Sequence, residues 1–248
     1  MAMAIDGSAG GQFSHTNTGT VTLTTTQAKD VIILAYYHQD KVNQPVTRAV
    51  INTVASANLT WNKRKQFLFD TGTNTNEQDI EIWWAYAAAA LTSEVITITL
   101  NSSIDDAAYQ AFGVSGSLTP QSPWDGDPSL AGANNSGLNV TSIAVAGVST
   151  EAINNMIIGV WGDTSNANAT IPAGTTQVRA PQDNGGGTFF AFMGSFFQVN
   201  SAKVASATYT ATMATNETWG MVIDALAGDR APMKLVNINQ AVQRAATF

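Results

Sequence analysis

Cysteine is absent from this 248-residue chain. The fold therefore has no disulfide, thiolate metal site or cysteine nucleophile, and it must hold by packing alone. Charge is scarce as well: Lys, Arg, Asp and Glu make up 12%, about half the usual share. The net charge of -7, with no cluster of Lys and Arg, argues against a nucleic-acid partner, since phosphate binding needs such a cluster. Long apolar runs are missing too. The longest, Trp83–Leu91, falls far short of the roughly 18 residues of a membrane-spanning helix, so no membrane insertion is expected. Met1-Ala2-Met3-Ala4-Ile5-Asp6-Gly7 has neither the basic start nor the apolar centre of a signal peptide, and a soluble chain that is not conventionally secreted is expected.

What fills the gap is Thr, Asn, Ser, Ala and Gly around short apolar runs. The most telling run is Val31-Ile32-Ile33-Leu34-Ala35-Tyr36-Tyr37, which returns as Met156-Ile157-Ile158-Gly159-Val160-Trp161. Both follow similar lead-ins, Thr26–Asp30 and Thr150–Asn155. Brief, β-branched and aromatic runs between polar residues fit strands buried on both faces.

Other segments repeat in the same order. Val21–Thr24 alternates, Ile80–Tyr86 is an aromatic strand, and Ala87–Leu91 reads as its end and a turn. Val95–Leu100 puts Ile96, Ile98 and Leu100 on one face, and Ala107–Val114 closes the half at Ser115-Gly116. In the second half Val140–Val148, Phe189–Val199, the alternating Ala207–Met213 and Trp219–Leu226 follow the echo, ending at Ala227-Gly228. Weaker candidates are Val46–Val54, Leu59–Trp61, Gln66–Phe69 and Thr175–Ala180, with turns at Gly72 and Gly185-Gly186-Gly187. Repetition on this scale predicts an all-β protein: a tandem or pseudo-duplicated antiparallel β-sandwich, jelly-roll-like, with a short C-terminal arm.

The expected divisions are an N-terminal arm over 1–18, a first sandwich over 19–116, a linker over 117–138 carrying Pro120, Pro123 and Pro128, a second sandwich over 139–228, and the arm 229–248. In that arm Leu235, Ile238, Val242 and Ala245 can share one helical face, while Arg230, Lys234 and Arg244 make it positive on an acidic protein. It reads either as a docking arm, with Arg230, Lys234, Leu235, Ile238, Val242 and Phe248 as contacts, or as a tail packed on its own domain.

Residues with chemistry are few. The two histidines, His15 and His38, sit in the arm and at a strand end, and surface histidine is the expected role because no convergent partners are in view. Asp105-Asp106 and Asp125-Gly126-Asp127 lack the rest of a calcium loop and read as turn carboxylates. Among the six tryptophans, core positions are favoured; Trp124, in the Pro-rich connection, is the best candidate for an exposed ring stacking on a sugar. No catalytic, cofactor or metal residue is assigned.

The Ala28-Lys29-Asp30-Val31-Ile32-Ile33-Leu34 strand, Glu81-Ile82-Trp83-Trp84-Ala85-Tyr86 and the closing Ala111-Phe112-Gly113-Val114-Ser115-Gly116 resemble the β-sandwich structural proteins of tailed bacteriophages, of the head-decoration and tail or fibre kinds. The resemblance spans Gly19–Gly228 and is one of pattern. It implies a non-enzymatic virion protein, assembled in the host cytoplasm as a homo-oligomer or in many copies beside coat or tail subunits. A capsid decoration or cement protein is the leading expectation. The alternative is a tail- or fibre-associated adhesion module binding host-surface carbohydrate, and a hydrolase stands third.

Overall fold

The computed structural model describes residues 2–40, 49–70, 77–118, 122–164, 168–183 and 191–228. The repeated runs are its two central strands. Val31–Tyr37 lies in β2 (Asp30–Asp40), buried from Asp30 to Gln39. Met156–Trp161 lies in β8 (Asn155–Asp163), buried throughout. Each has an antiparallel neighbour on both sides. For β2 these are β5 (Glu77–Ala87) and β6 (Glu94–Ser115); for β8 they are β11 (Phe192–Asn200) and β12 (Ala207–Ala227). A strand flanked on both edges and covered on both faces has no surface for polar side chains, hence the unbroken apolar runs.

The remaining strands complete the duplication. With β1 (Ala4–Leu23) and β4 (Trp61–Asp70), the first sheet runs β1-β6-β2-β5-β4. With β7 (Asn134–Val148) and β10 (Gln182–Asp183), the second runs β7-β12-β8-β11-β10. These are the same order. Of the short strands β3 (Ile51–Ala55) and β9 (Thr176–Gln177), β3 pairs with β6 and β9 with β11. The second half keeps a trace of the β3 pairing in one bridge, where Thr170 and Thr212 exchange backbone hydrogen bonds of 2.7 and 3.0 Å.

The long ribbons bend. Register jumps between Thr16 and Thr18 of β1, whose partners on β6 are Ile104 and Thr99. Beyond this bulge the β1–β6 ribbon folds over the outer face of its own sheet, turning Ile96, Ile98 and Leu100 inward and leaving Val95 outward. The β7–β12 ribbon does the same past Thr212, with Tyr209, Ala211 and Met213 inward and Ala207 half-buried. Dividing β1 and β6 at their bend makes the first half a jelly roll: first strand beside last, second beside seventh, and third between last and sixth. Among the described strands β4 departs, pairing with β5.

Four layers thus enclose three cores. Ile32, Leu34 and Tyr36 of β2 face the folded-over ribbon of the first half. Ile157, Trp161, Phe196 and Trp219 face that of the second. Between the halves, Val31, Ile33, Ala35 and Tyr37 meet Met156, Ile158, Val160, Val222 and Leu226. The two sandwiches are therefore joined face to face through an apolar core.

Hydrogen bonds mark the duplication atom by atom. Thr25 N donates to Leu91 O at 3.0 Å, and Leu91 N donates to Thr25 Oγ1 at 2.9 Å. Thr150 N donates to Val204 O, and Val204 N donates to Thr150 Oγ1 at 2.9 Å. The carboxylate of Asp6 accepts from the backbone N–H of Thr26 and Gln27, as that of Asp125 does from Glu151 and Ala152.

Several expectations need correction. The expected loose arm is strand from Ala4 onward, pairing with β6, and Met3 enters the core between the halves. Among its described residues, the connection over 117–138 is no free linker. Leu118 N and Asp125 N donate to β12 carbonyls, Trp124 bridges Leu226, and residues from Asn134 belong to β7. It supplies the second half with what the start of β1 supplies the first. The weak strand at Thr175–Ala180 shrinks to Thr176–Gln177. Gly72, Gly185–Gly187 and the arm 229–248 with Arg230, Lys234, Leu235, Ile238, Val242 and Phe248 lie outside the described residues.

Candidate functional site

Among the described residues, three gatherings of polar side chains are the candidates. The first is the junction of the halves. On β4, a bulge between Lys63 and Lys65 interrupts the pairing with β5 and turns two cations toward the second half. Arg64 donates from Nε to Asp224 Oδ2 at 2.8 Å and from Nη2 to Oδ1 at 3.1 Å. Its guanidinium also lies 4.8 Å from the centre of the Trp124 ring. Lys65 Nζ donates to the carbonyls of Leu130 at 2.5 Å, Ile223 at 3.0 Å and Ala133 at 3.4 Å. Burial pushes the Lys65 ammonium down to about 8, against the opposing pull of Asp224. Alongside lies a cleft of about 370 Å³ lined by Arg64, Lys65, Asp125, Asp127 and Asp224 among others.

Trp124 is thereby corrected as a sugar-stacking ring: it is 7% exposed, enclosed by the core between the halves, with Arg64 over its face. The strand-like path of its segment along β12 carries it inward, which composition did not reveal. Asp125, expected as a solvated turn carboxylate, is buried because it caps the turn at Glu151 and Ala152.

The second place is the outer face of the first sheet, where Tyr36 and His38 of β2 stand opposite Glu81 and Asp79 of β5. All four are buried, which corrects His38 as a surface histidine. Glu81 is well held: it accepts from Ile51 N at 2.8 Å and Trp83 Nε1 at 2.7 Å, and Lys63 Nζ lies 2.8 Å away. Asp79 accepts from Gln66 Nε2 at 2.8 Å, but its other oxygen has no hydrogen-bond partner. Burial and the charge of Glu81 push the Asp79 carboxyl up to about 9. Neither His38 nitrogen has a partner, and burial drives its imidazole down to about 3. Groups so enclosed do not meet a substrate in this conformation. They hold a stack of polar side chains inside a sandwich.

The third is the turn before β2. Asp30 is fully buried, no donor faces either carboxyl oxygen, and burial, followed by hydrogen bonding to Asp6 and its charge, raises its pKa to about 7. Burial works to raise Asp6 too, but donation from Thr26 Oγ1, Gln27 N, Asp30 and Thr26 N outweighs it and holds Asp6 low. The sequence hinted at this pair only through an aspartate placed directly before an apolar run.

Among the described residues no three His, Asp or Glu side chains converge as for a metal ion. Compared with family models, curated proteins and solved structures, the chain matches none.

Proposed function

We propose that this chain is a non-enzymatic structural protein of a bacteriophage particle, a decoration or cement protein seated on the outer coat. The observation that carries this reading is the joining of two jelly-roll units through a continuous apolar core. Such a block presents two similar sets of ribbon edges, which suits repeated contact with neighbouring coat subunits. Jelly rolls recur among viral capsid proteins, and a sparsely charged surface forms broad hydrogen-bonding contacts at low desolvation cost.

The arm 229–248, net positive on an acidic chain, is assigned to docking. Copy number on purified particles tests both points. Many copies per head, reduced on deletion of 229–248, is the expected result. Localisation to the tail by antibody labelling would replace the decoration role, and unchanged occupancy without the arm would remove docking from it.

A further inference from the structure

We propose that Asp6 and Asp30 form a proton-operated latch: a proton held between the two carboxyls fastens the start of β1 against the central sheet, and its loss releases that segment.

Asp6 pairs with Gly113 of β6, which in turn pairs with Ile32 of β2, so Gly113 lies between the strands that carry the two acids. A Cβ on Gly113 would lie 2.5 Å from Asp6 O and 3.1 Å from Asp30 Oδ2. The missing side chain leaves room for the backbone of Asp6, the Thr25 methyl and the Asp30 carboxyl to crowd onto that face of β6. Asp6 already uses its oxygens to accept from Thr26 N, Thr26 Oγ1 and Gln27 N at 2.6–2.8 Å. Asp30 brings two buried oxygens with no donor facing them. An ionised Asp30 would be a second charge beside a carboxylate, with nothing to compensate it. A protonated Asp30 has one O–H to donate, and Asp6 is there to accept it.

The other half provides the comparison. At the position of Asp30 it has Asn155, which like Asp30 precedes the central run, and where Gly113 opens the first sheet it has Ala225. The Asn155 amide donates to Thr150 Oγ1 at 3.0 Å and to the carbonyls of Ala152 at 2.8 Å and Ala202 at 3.1 Å. One unit thus closes the turn with a permanently neutral amide, the other with a carboxyl that is neutral only while protonated.

Few other charges bear on Asp30. From β5 it faces Ala87 and from β6 Gly113, neither titratable. Lys29 precedes it in the chain, and Glu94 at the start of β6 is engaged by Asn58 through two hydrogen bonds. Asp6 is the one charge that shifts it. A carboxyl raised in the fold contributes stability that is fully present below its unfolded value near 4 and is lost as pH rises through about 7. Met3, just ahead of the latch, is part of the core between the halves, so opening also loosens one edge of that core.

The test follows the Asp30 carboxyl carbon by NMR in the full chain, with amide exchange at residues 4–8 in the wild type and in Asp30→Asn. The latch predicts titration near neutrality and, after correction for intrinsic exchange, about a tenfold loss of protection from pH 6 to 8 in the wild type alone. Titration in the ordinary carboxylate range near 4 overturns it, as does an equal loss of protection in Asp30→Asn. Should that variant fail to fold, the wild-type titration decides.

Discussion

Arg64 of the first sandwich grips Asp224 of the second through two parallel hydrogen bonds, at 2.8 and 3.1 Å. Asp224 lies on β12 between Val222 and Leu226, both in the core that joins the halves, and is 1% exposed. Removing Arg64 strips that buried carboxylate of its guanidinium partner and leaves it the Ala225 N–H at 2.8 Å and the pull of Lys65. Breaking a buried pair from one side costs about 3–5 kcal/mol; with the Arg64 side chain 30% exposed, water can partly replace it, and about 2 kcal/mol is expected for Arg64→Ala. Denaturant unfolding of Arg64→Ala, Asp224→Asn and the double variant checks this. The double variant should lose clearly less than the sum of the singles, and strict additivity would show that the pair is not coupled.

A second relationship explains why the halves differ in their cores. Leu34 of β2 stands opposite Trp83, while its counterpart Gly159 of β8 stands opposite Phe196. The Phe196 ring lies over Gly159 where a Cβ would collide with it. In the first half Leu34 fills that place, and Trp83 is only half-buried. Gly159→Ala should therefore overpack the second core by about 1–3 kcal/mol. Adding Phe196→Leu should recover part of the loss, as read from the shift in thermal midpoint. Loss without any such recovery would point to the backbone at Gly159 instead of the ring.

The duplication itself was legible in the sequence, because strands covered on both faces must be apolar and the copies Val31–Tyr37 and Met156–Trp161 keep that character. Ala207–Met213 and Val95–Leu100 declared their faces by alternation. What stayed hidden depends on distant partners. Nothing local tells that the Pro-rich segment at Trp124 runs beside β12, or that the Gly-rich start at Ala4 pairs with β6. The polar cluster was hidden for a related reason: His38, Asp79 and Glu81 look like ordinary strand-end and surface residues until the folded-over ribbon covers them. Register then sets His38 opposite Asp79 and Tyr36 opposite Glu81.

Asp79 and Glu81 should respond differently to loss of charge. Asp79 has an oxygen without a partner and a carboxyl pushed up to about 9 by burial and by Glu81, so it is neutral at pH 7. Asp79→Asn keeps an acceptor for Gln66 and adds a donor, and a stability within about 1 kcal/mol of the wild type is expected at pH 7. Glu81 accepts from Ile51 N and Trp83 Nε1 and pairs with Lys63. Glu81→Gln trades one accepting oxygen for a donor facing donors, a loss of about 2–3 kcal/mol. Equal losses from the two substitutions, measured by chemical denaturation at one pH, would contradict this division.

His38 sets the behaviour on the acid side. Its ring is 1% exposed, neither nitrogen has a partner, and burial holds the imidazole down to about 3 against an ordinary value of 6.5. Across the strands it faces Asp79, and Tyr36 packs beside it with ring centres 5.6 Å apart. The unfolded chain binds a proton at this histidine below about 6.5 while the folded chain does not. The stability it contributes is therefore present in full above that value and is lost as pH falls toward 3. The imidazole resonances of His38 should stay in their neutral position through pH 5. His38→Leu removes both unpartnered nitrogens with the titrating group, so it should flatten the fall in stability between pH 6.5 and 4 and gain about 1 kcal/mol at pH 5. An imidazole that protonates near 6.5 in the folded protein would mean that water or an acceptor reaches His38 after all.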